Sequence, residues 1–322
     1  MTTGDIDLGF SPPDDQPIRY VQRTHDWYGA LGYANPYRYA QFAETPFAPL
    51  AMPLAQARLA LITTAAPFRP ELGDQGAGSP YNAQAKFFEV YAGDTARDHD
   101  LRVSHVAVDR AHLSDDANCW FPLPALRRAA ASGRIGALTD HFLGAPTNRS
   151  QRHTLQVDAP EVLRRCRADR ADAAILVANC PVCHQTLSLI ARVLEADGIP
   201  TVLIGAAKDI VELCGVPRFL FSDVPLGNAA GLPHDPASQA ATLELALRLL
   251  ESAPGPRTTV QSPLRWPGPW RAEYMNPSHL SPEDLARERL RNDEDKAVAQ
   301  ALRGPSGTER GPASTENVVG SS

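Results

Sequence analysis

Lysine is nearly missing from this chain of 322 residues: only Lys86, Lys208 and Lys296 occur, and acidic residues outnumber basic ones 37 to 31. A formal net charge of −6 leaves no basic surplus for coating nucleic acid or an anionic membrane, so neither partner is expected. No apolar run approaches the ~20 residues that a membrane-spanning helix needs. The opening segment, MTTGDIDLGFSPPDD, lacks a basic stretch followed by an apolar one, so a cytoplasmic location is expected. Cysteine is scarce and odd in number, at five. A chain this long needs no disulfide staples, so its thiols are expected to be reduced, and a clustered pair would be chemical rather than structural. Glycine is not arranged for phosphate either: Gly73, Gly76 and Gly78 fit neither G-x-G-x-x-G nor a Walker loop. No internal repeat occurs. The preference for arginine over lysine reads as coding bias.

What is present is an ordinary core-forming composition, 43% hydrophobic and 21% charged. Residues 1–18 are polar and rich in Pro and Asp, and are expected to be disordered. Residues 19–57 form an aromatic-rich arm, with a helix predicted near Ile18–Leu31 and prolines 36, 46, 49 and 53 breaking regular structure beyond it. Residues 58–262 alternate between apolar runs and amphipathic stretches. Strands are predicted over Arg58–Ala65, Leu101–Val108, Ile135–Phe142, Ala173–Ala178, Thr201–Gly205 and Arg218–Ser222. Helices are predicted over Leu123–Ser132, from an N-cap at Asp158 to Ala168, and over Cys183–Asp197, Ala206–Cys214 and Pro236–Ser252. Continuous apolar strands separated by helices imply an α/β fold, an open, doubly wound and mainly parallel sheet covered on both faces, Rossmann- or flavodoxin-like. Residues 263–302 read as a loop and a charged helix starting at Ser281-Pro282, and 303–322 as a disordered tail.

The strongest chemical signal is Asn179-Cys180-Pro181-Val182-Cys183-His184-Gln185, which follows the strand AAILVA and opens a helix. Ligands of open parallel sheets bind beyond the carboxyl ends of the strands. A thiol at a helix N-terminus meets free N–H groups and the positive end of the helix dipole, which favour thiolate. The C-x-x-C spacing sets Cys183 one turn behind Cys180, the arrangement of a nucleophile and a resolving thiol, with His184 placed to tune the pair or deliver a proton. A structural zinc site is the main alternative, although Cys119, Cys166 and Cys214 are scattered and supply no second ligand pair. Two inert buried thiols are a further alternative. Cys180-Pro-Val-Cys183-His184 also matches the c-type haem motif, but haem attachment follows export.

Weaker candidates surround this motif. His105, with Asp109 four residues on, is a candidate acid/base pair. Ser104, Asn118, His141, Asn179, Gly227 and Asn228 are candidates for contacting substrate. Each also has a plain structural reading, as a surface hydrogen bond, a helix entry or a turn.

The order of these segments resembles the selenoprotein B family of glycine, sarcosine, betaine and D-proline reductases, in its selenium-free form. The resemblance runs from about Tyr20 to Trp266. It rests on Ala30–Tyr37, the RLALITTA strand, Ser104-His105 to Asp109, Asn118-Cys-Trp-Phe-Pro122, Ile135–Leu138, Cys180–Gln185, Gly198-Ile-Pro-Thr201 and Pro225-Leu-Gly-Asn228. The position often held by selenocysteine corresponds to Cys180. The resemblance implies reductive cleavage of a carbon–nitrogen bond beside a carboxylate in a small substrate, an external dithiol as reductant, no tightly bound cofactor and a pyruvoyl-type partner subunit. The aromatic arm and the charged helix suggest a homo-oligomer. The chain departs from the family at Val108, where an aromatic is usual, at Phe88, where an arginine is common, and in a shorter segment after Ile135. The substrate is therefore left unassigned.

Overall fold

The computed structural model describes residues 16–303. The loose ends expected over 1–18 and 303–322 fall almost wholly outside that range, although Ile18, inside it, is buried.

Chain order begins with α1 (Tyr20–Ala30), then an extended arm to Pro53, then β1 (Arg58–Thr63) and the two-residue β2 (Ala66–Pro67). Next come β3 (Tyr91–Asp94), β4 (Leu101–Arg102), α2 (Leu123–Ala131), β5 (Ala137–Leu138) and β6 (His141–Gly144). A helical stretch from Gln151 to Ala168 comprises α3 (Gln151–His153), a π turn (Thr154–Asp158) and α4 (Ala159–Ala168). The second half alternates strictly: β7 (Ala173–Val177), α5 (Pro181–Ala196), β8 (Thr201–Gly205), α6 (Lys208–Cys214), β9 (Arg218–Phe221), α7 (Pro236–Ser252) and β10 (Thr258–Gln261). The long charged helix α8 (Pro282–Arg303) follows.

The main sheet runs β10-β9-β8-β7-β1-β6-β3, with β5 also on β1. Every pairing is parallel except β3 with β6. The open, doubly wound α/β sheet is as expected. Strand residues alternate between two apolar layers. Leu59, Leu61, Ile175, Val177, Val202 and Ile204 face a core shared with α2 and α7. Ala60, Ile62, Ala174, Leu176 and Leu203 face the other core, with α4 and α5. After β1 the chain builds β6 on one side, then crosses to place β7 on the other and winds outward. The reversal makes the carboxyl ends of β6, β1 and β7 the topological switch point, where such sheets open a crevice.

Three local expectations are corrected. The alternation over 101–108 yields only the two-residue β4, because Ser104 and His105 turn inward in a loop instead of continuing a strand. Asp158 is not an N-cap: Ser150 is, its Oγ accepting from the N–H of His153. Asp158 is helical and buried, and ion-pairs with His153. Pro160 lies inside that helical stretch, where it can donate no hydrogen bond and would crowd the preceding turn. The π turn immediately before it widens the helix there. The region expected as a strand over Ile135–Phe142 is two short strands, β5 and β6.

The aromatic arm lies across α5 and α6. Gln185 Oε1 accepts from the N–H of Ala40 at 2.7 Å, and Glu195 Oε2 from the N–H of Ala48 at 2.6 Å. Phe42 donates its N–H to the Leu213 carbonyl and stacks under Arg192. Burial of Tyr39 and the contacts of Tyr37 and Phe42 give the arm's aromatics the cover that their apolar surface demands.

Candidate active site at the carboxyl edge of the sheet

β7 is fully buried, and the chain leaves it through Ala178 and Asn179 to Cys180. Cys180 has extended backbone and caps α5, its Sγ accepting the N–H of Cys183 at 3.2 Å. Pro181 occupies the first helical position, where a missing N–H costs nothing. Cys180 and Cys183 are joined as a disulfide, with Cα atoms 4.8 Å apart. The Cys180 sulfur thus meets a backbone N–H at the positive end of a 16-residue helix, a placement that favours thiolate over thiol when a sulfur there is free. Cys180 lines a cleft, whereas Cys183 is wholly buried behind it.

His105 stands beside the pair. One ring nitrogen of His105 and the two sulfurs all lie within 4.8 Å of one another. Its Nε2 lies 2.7 Å from the Thr64 carbonyl and its Nδ1 3.2 Å from Thr147 Oγ1. A carbonyl only accepts, so Nε2 bears the proton and Nδ1 is the basic nitrogen, facing a hydroxyl. Burial, aided by the positive charges of Lys86, Arg110 and Arg149, pushes its pKa down to about 4, so the ring is neutral at pH 7.

The same cleft is lined by Ser104, Lys86, Thr147, Arg149 and Val182. Lys86 Nζ donates to the Thr147 carbonyl at 2.9 Å. Burial and the neighbouring Arg149 and Arg303 push Lys86 down to about 7. The free space is about 20 Å³, room for about one water. Lys86, Thr147 and Arg149 were missed in the sequence. The signal available was position: Thr147 and Arg149 follow β6, whose carboxyl end adjoins that of β1, and Lys86 is one of three lysines.

The other predicted residues separate into neighbours and outliers. Asn179 is buried, and its Nδ2 donates to Thr64 Oγ1 at 3.2 Å. His184 does not face the sulfurs. Its Nδ1 donates to the Cys180 carbonyl at 2.7 Å, and its Nε2 accepts from the N–H groups of Ala206 and Ala207 at 2.8 and 3.1 Å. Gly205 permits this approach, because a Cβ there would lie 2.5 Å from Nε2. Both ring nitrogens are occupied by backbone, which leaves none to deliver a proton. Asp109 pairs with His112 at 3.1 Å rather than orienting His105. His141 opens β6 at the opposite, amino edge, where it is exposed and pairs with Asp169. Asn118 turns back on Asp116. Asn228 ties its own loop to Ser114 and His112, and Gly227 supplies that loop's left-handed bend, at φ 90°. Among the described residues Cys119, Cys166 and Cys214 are free and buried, and burial pushes each thiol up to about 12, as expected of packing residues.

Fold and site together define an open α/β protein with a thiol pair at the switch point of a parallel sheet. No family model and no solved structure matches the chain. Among curated proteins, D-proline reductase subunit gamma of Acetoanaerobium sticklandii is 32% identical over 182 residues, covering 56% of this chain and 74% of that protein. Glycine reductase complex component B subunit gamma of Symbiobacterium thermophilum is 26% identical over 214 residues, covering 63% of this chain and 48% of that protein. Its counterpart in Carboxydothermus hydrogenoformans is 25% identical over 214 residues, with coverages of 65% and 49%. The chain spans about half the length of these glycine reductase relatives. It belongs to the family of D-proline reductase and glycine reductase component B gamma subunits, as the resemblance implied. Among the described residues, no helix is long and apolar enough to cross a membrane.

Proposed function

We propose that this protein is the thiol subunit of a reductase that cleaves a carbon–nitrogen bond beside the carboxylate of a small, amino-acid-like molecule. The observation behind this reading is the Cys180–Cys183 pair, capping α5 beside a neutral His105, with Cys180 alone on the cleft. The Cys180 thiolate attacks the carbon bearing nitrogen. A carbon–sulfur bond forms as the carbon–nitrogen bond breaks, and the nitrogen leaves with its bonding pair and takes a proton. The Cys183 thiolate then attacks Cys180 sulfur. A disulfide forms, and the carbon leaves with the carbon–sulfur pair and is protonated. Two thiols are thereby oxidised to one disulfide, and one carbon–nitrogen bond is replaced by C–H and N–H. An external dithiol reduces Cys180–Cys183 for the next cycle, and no tightly bound cofactor takes part. Nδ1 of His105 is the proton carrier on the cleft, with Ser104 and Asn179 beside it. The names of the relatives are those of subunits, which supports a partner subunit here as well; in this reading that partner is of the pyruvoyl type, which activates the nitrogen.

The test is turnover by the reduced protein with its partner, using D-proline first because of the relative's name. Cys180→Ser abolishes turnover, and Cys183→Ser accumulates a thioether or mixed disulfide at Cys180 that mass spectrometry detects. Full activity in both variants rejects the mechanism.

A second reading rests on the same triad. In the reduced state, Cys180, Cys183 and His105 make a two-sulfur, one-nitrogen set suited to zinc with an open fourth position. Stoichiometric zinc in protein purified without chelator, lost together with activity on chelation, favours that reading.

A further inference from the structure

Arg149 occupies the cleft beside Cys180, yet among the described residues no carboxylate lies within ion-pair distance of its guanidinium and none of its nitrogens makes a hydrogen bond. Arg149 is half-buried, and an arginine drawn away from water is ordinarily paired, since its charge is costly to desolvate alone. Here its surroundings are the tyrosines Tyr28, Tyr37, Tyr39 and Tyr81. Asp295 of α8 feels its charge but stays beyond ion-pair reach. Its backbone is left-handed, at φ 54°, which is unfavourable for a residue with a long side chain. Lys86 lines the same cleft, and among the described residues its ammonium has a carbonyl and the Phe88 ring for company but no carboxylate. Two cations in one small cleft repel one another. A third feature points inward as well. Ser104 Oγ, on a residue only 4% exposed, has no hydrogen-bond partner among the described residues and lines the cleft. A buried hydroxyl without a partner costs free energy unless a ligand completes it.

We propose that Arg149, Lys86 and Ser104 form an anion-binding site for a small carboxylate, which holds the bound molecule with its adjacent carbon facing Cys180. The guanidinium fork matches a planar carboxylate, Lys86 adds a point charge, and the Ser104 hydroxyl donates a third hydrogen bond. That the anion belongs to the molecule cleaved rests on the function proposed above. The anion site itself does not.

The test compares two alkylating agents on the reduced full-length protein: anionic iodoacetate and neutral iodoacetamide. The ratio of their rates at Cys180 reports the local preference for a carboxylate without any turnover. In Arg149→Lys, Arg149→Gln and Lys86→Met the ratio falls about tenfold or more, as loss of a charge-assisted hydrogen bond implies. A ratio unchanged in all three overturns the proposal. A ratio that falls while Cys180→Ser retains turnover keeps the anion site and rejects the dithiol mechanism. A second measurement needs no variant and no reactive thiol. With three lysines in the chain, 13C-lysine labelling of the oxidised protein resolves Lys86, whose charged and titratable neighbours are Arg149, Arg303, His105 and Tyr81, with Cys180 held in the disulfide. Acetate raises the midpoint of Lys86 titration if it binds there. A midpoint indifferent to saturating acetate overturns the site.

Discussion

His184 holds Cys180 by its main chain: the imidazole Nδ1 donates to the Cys180 carbonyl at 2.7 Å, while Nε2 accepts the N–H groups of Ala206 and Ala207. One ring thus ties the cysteine turn after β7 to the turn after β8. It sets where the sulfur points without touching it. His184→Ala leaves the buried N–H groups of Ala206 and Ala207 without an acceptor and removes one of the two donors to the Cys180 carbonyl, and the expected loss is about 3 kcal/mol. His184→Gln, with one donor and one acceptor at hand, recovers part of it. Urea unfolding of the two variants checks the order, and equal stability of His184→Ala and the parent chain refutes the role.

The same burial makes two histidines acid-sensitive. His105 and His184 are each pushed down to about 4 by desolvation, against 6.5 for an ordinary histidine. The unfolded chain therefore takes up protons at a higher pH than the folded one. Their contribution to stability is complete above pH 6.5 and falls as pH drops from there through about 4. Each group is worth on the order of 3 kcal/mol over that window. Urea midpoints measured between pH 7.5 and pH 4.5 should decline, and the decline should be shallower in His184→Gln. A flat profile contradicts the assignment of both rings as neutral.

Glu195 and Arg218 form another buried polar device, remote in role from the thiols. Glu195 Oε1 accepts from Arg218 at 2.8 Å and from the Thr201 hydroxyl, and Oε2 from the N–H of Ala48. Arg218 donates to the Ala48 carbonyl at 2.7 Å. The pair thus grips the arm at one residue from both sides. Arg218→Met strands a buried carboxylate and should cost about 3–5 kcal/mol. The double variant Glu195→Leu, Arg218→Met removes both charges and should lose less than the single one. Limited proteolysis near Ala48 should rise in each. An arm equally resistant in all three proteins would show that the grip is not what holds it.

The central strands and the cysteine turn were legible because their signals are local. Ala173–Val177 and Thr201–Gly205 are continuous apolar runs, as strands buried on both faces must be, and Cys180-Pro-Val-Cys183 directly follows one of them. β3 was not legible: Tyr91-Ala-Gly-Asp94 is a half-exposed edge strand with two poor strand formers. The alternation at 101–108 misled because Ser104 and His105 are buried for the cleft, not for a sheet. Asp109 was assigned to His105 by spacing, whereas the turn brings His112 to it instead. Lys86 and Arg149 are 63 residues apart in number and share no motif; only the adjacency of β3, β6, β1 and β7 brings both to Cys180, Lys86 on the segment entering β3 and Arg149 on the one leaving β6.

The nearness of His105 to both sulfurs makes zinc affinity a readout of redox state. In the disulfide form each sulfur is committed to the other and cannot bind as thiolate. After reduction two thiolates and a ring nitrogen of His105 are free to converge, since one nitrogen of that ring and the two sulfurs already lie within 4.8 Å. Nδ1 is the nitrogen available, because Nε2 is held by the Thr64 carbonyl, an outer partner of the kind that orients metal-binding imidazoles. Reduced protein should therefore bind one zinc ion per chain, and oxidised protein none at this site. Bound zinc should block alkylation of Cys180. His105→Ala should weaken binding by at least the factor of about 10–100 that loss of an outer partner alone costs, and His184→Gln by much less, since that ring faces backbone. Calorimetric titration of reduced and oxidised protein decides the matter. Equal affinity in the two redox states, or in the parent and His105→Ala, would show that these three residues do not act as one ligand set.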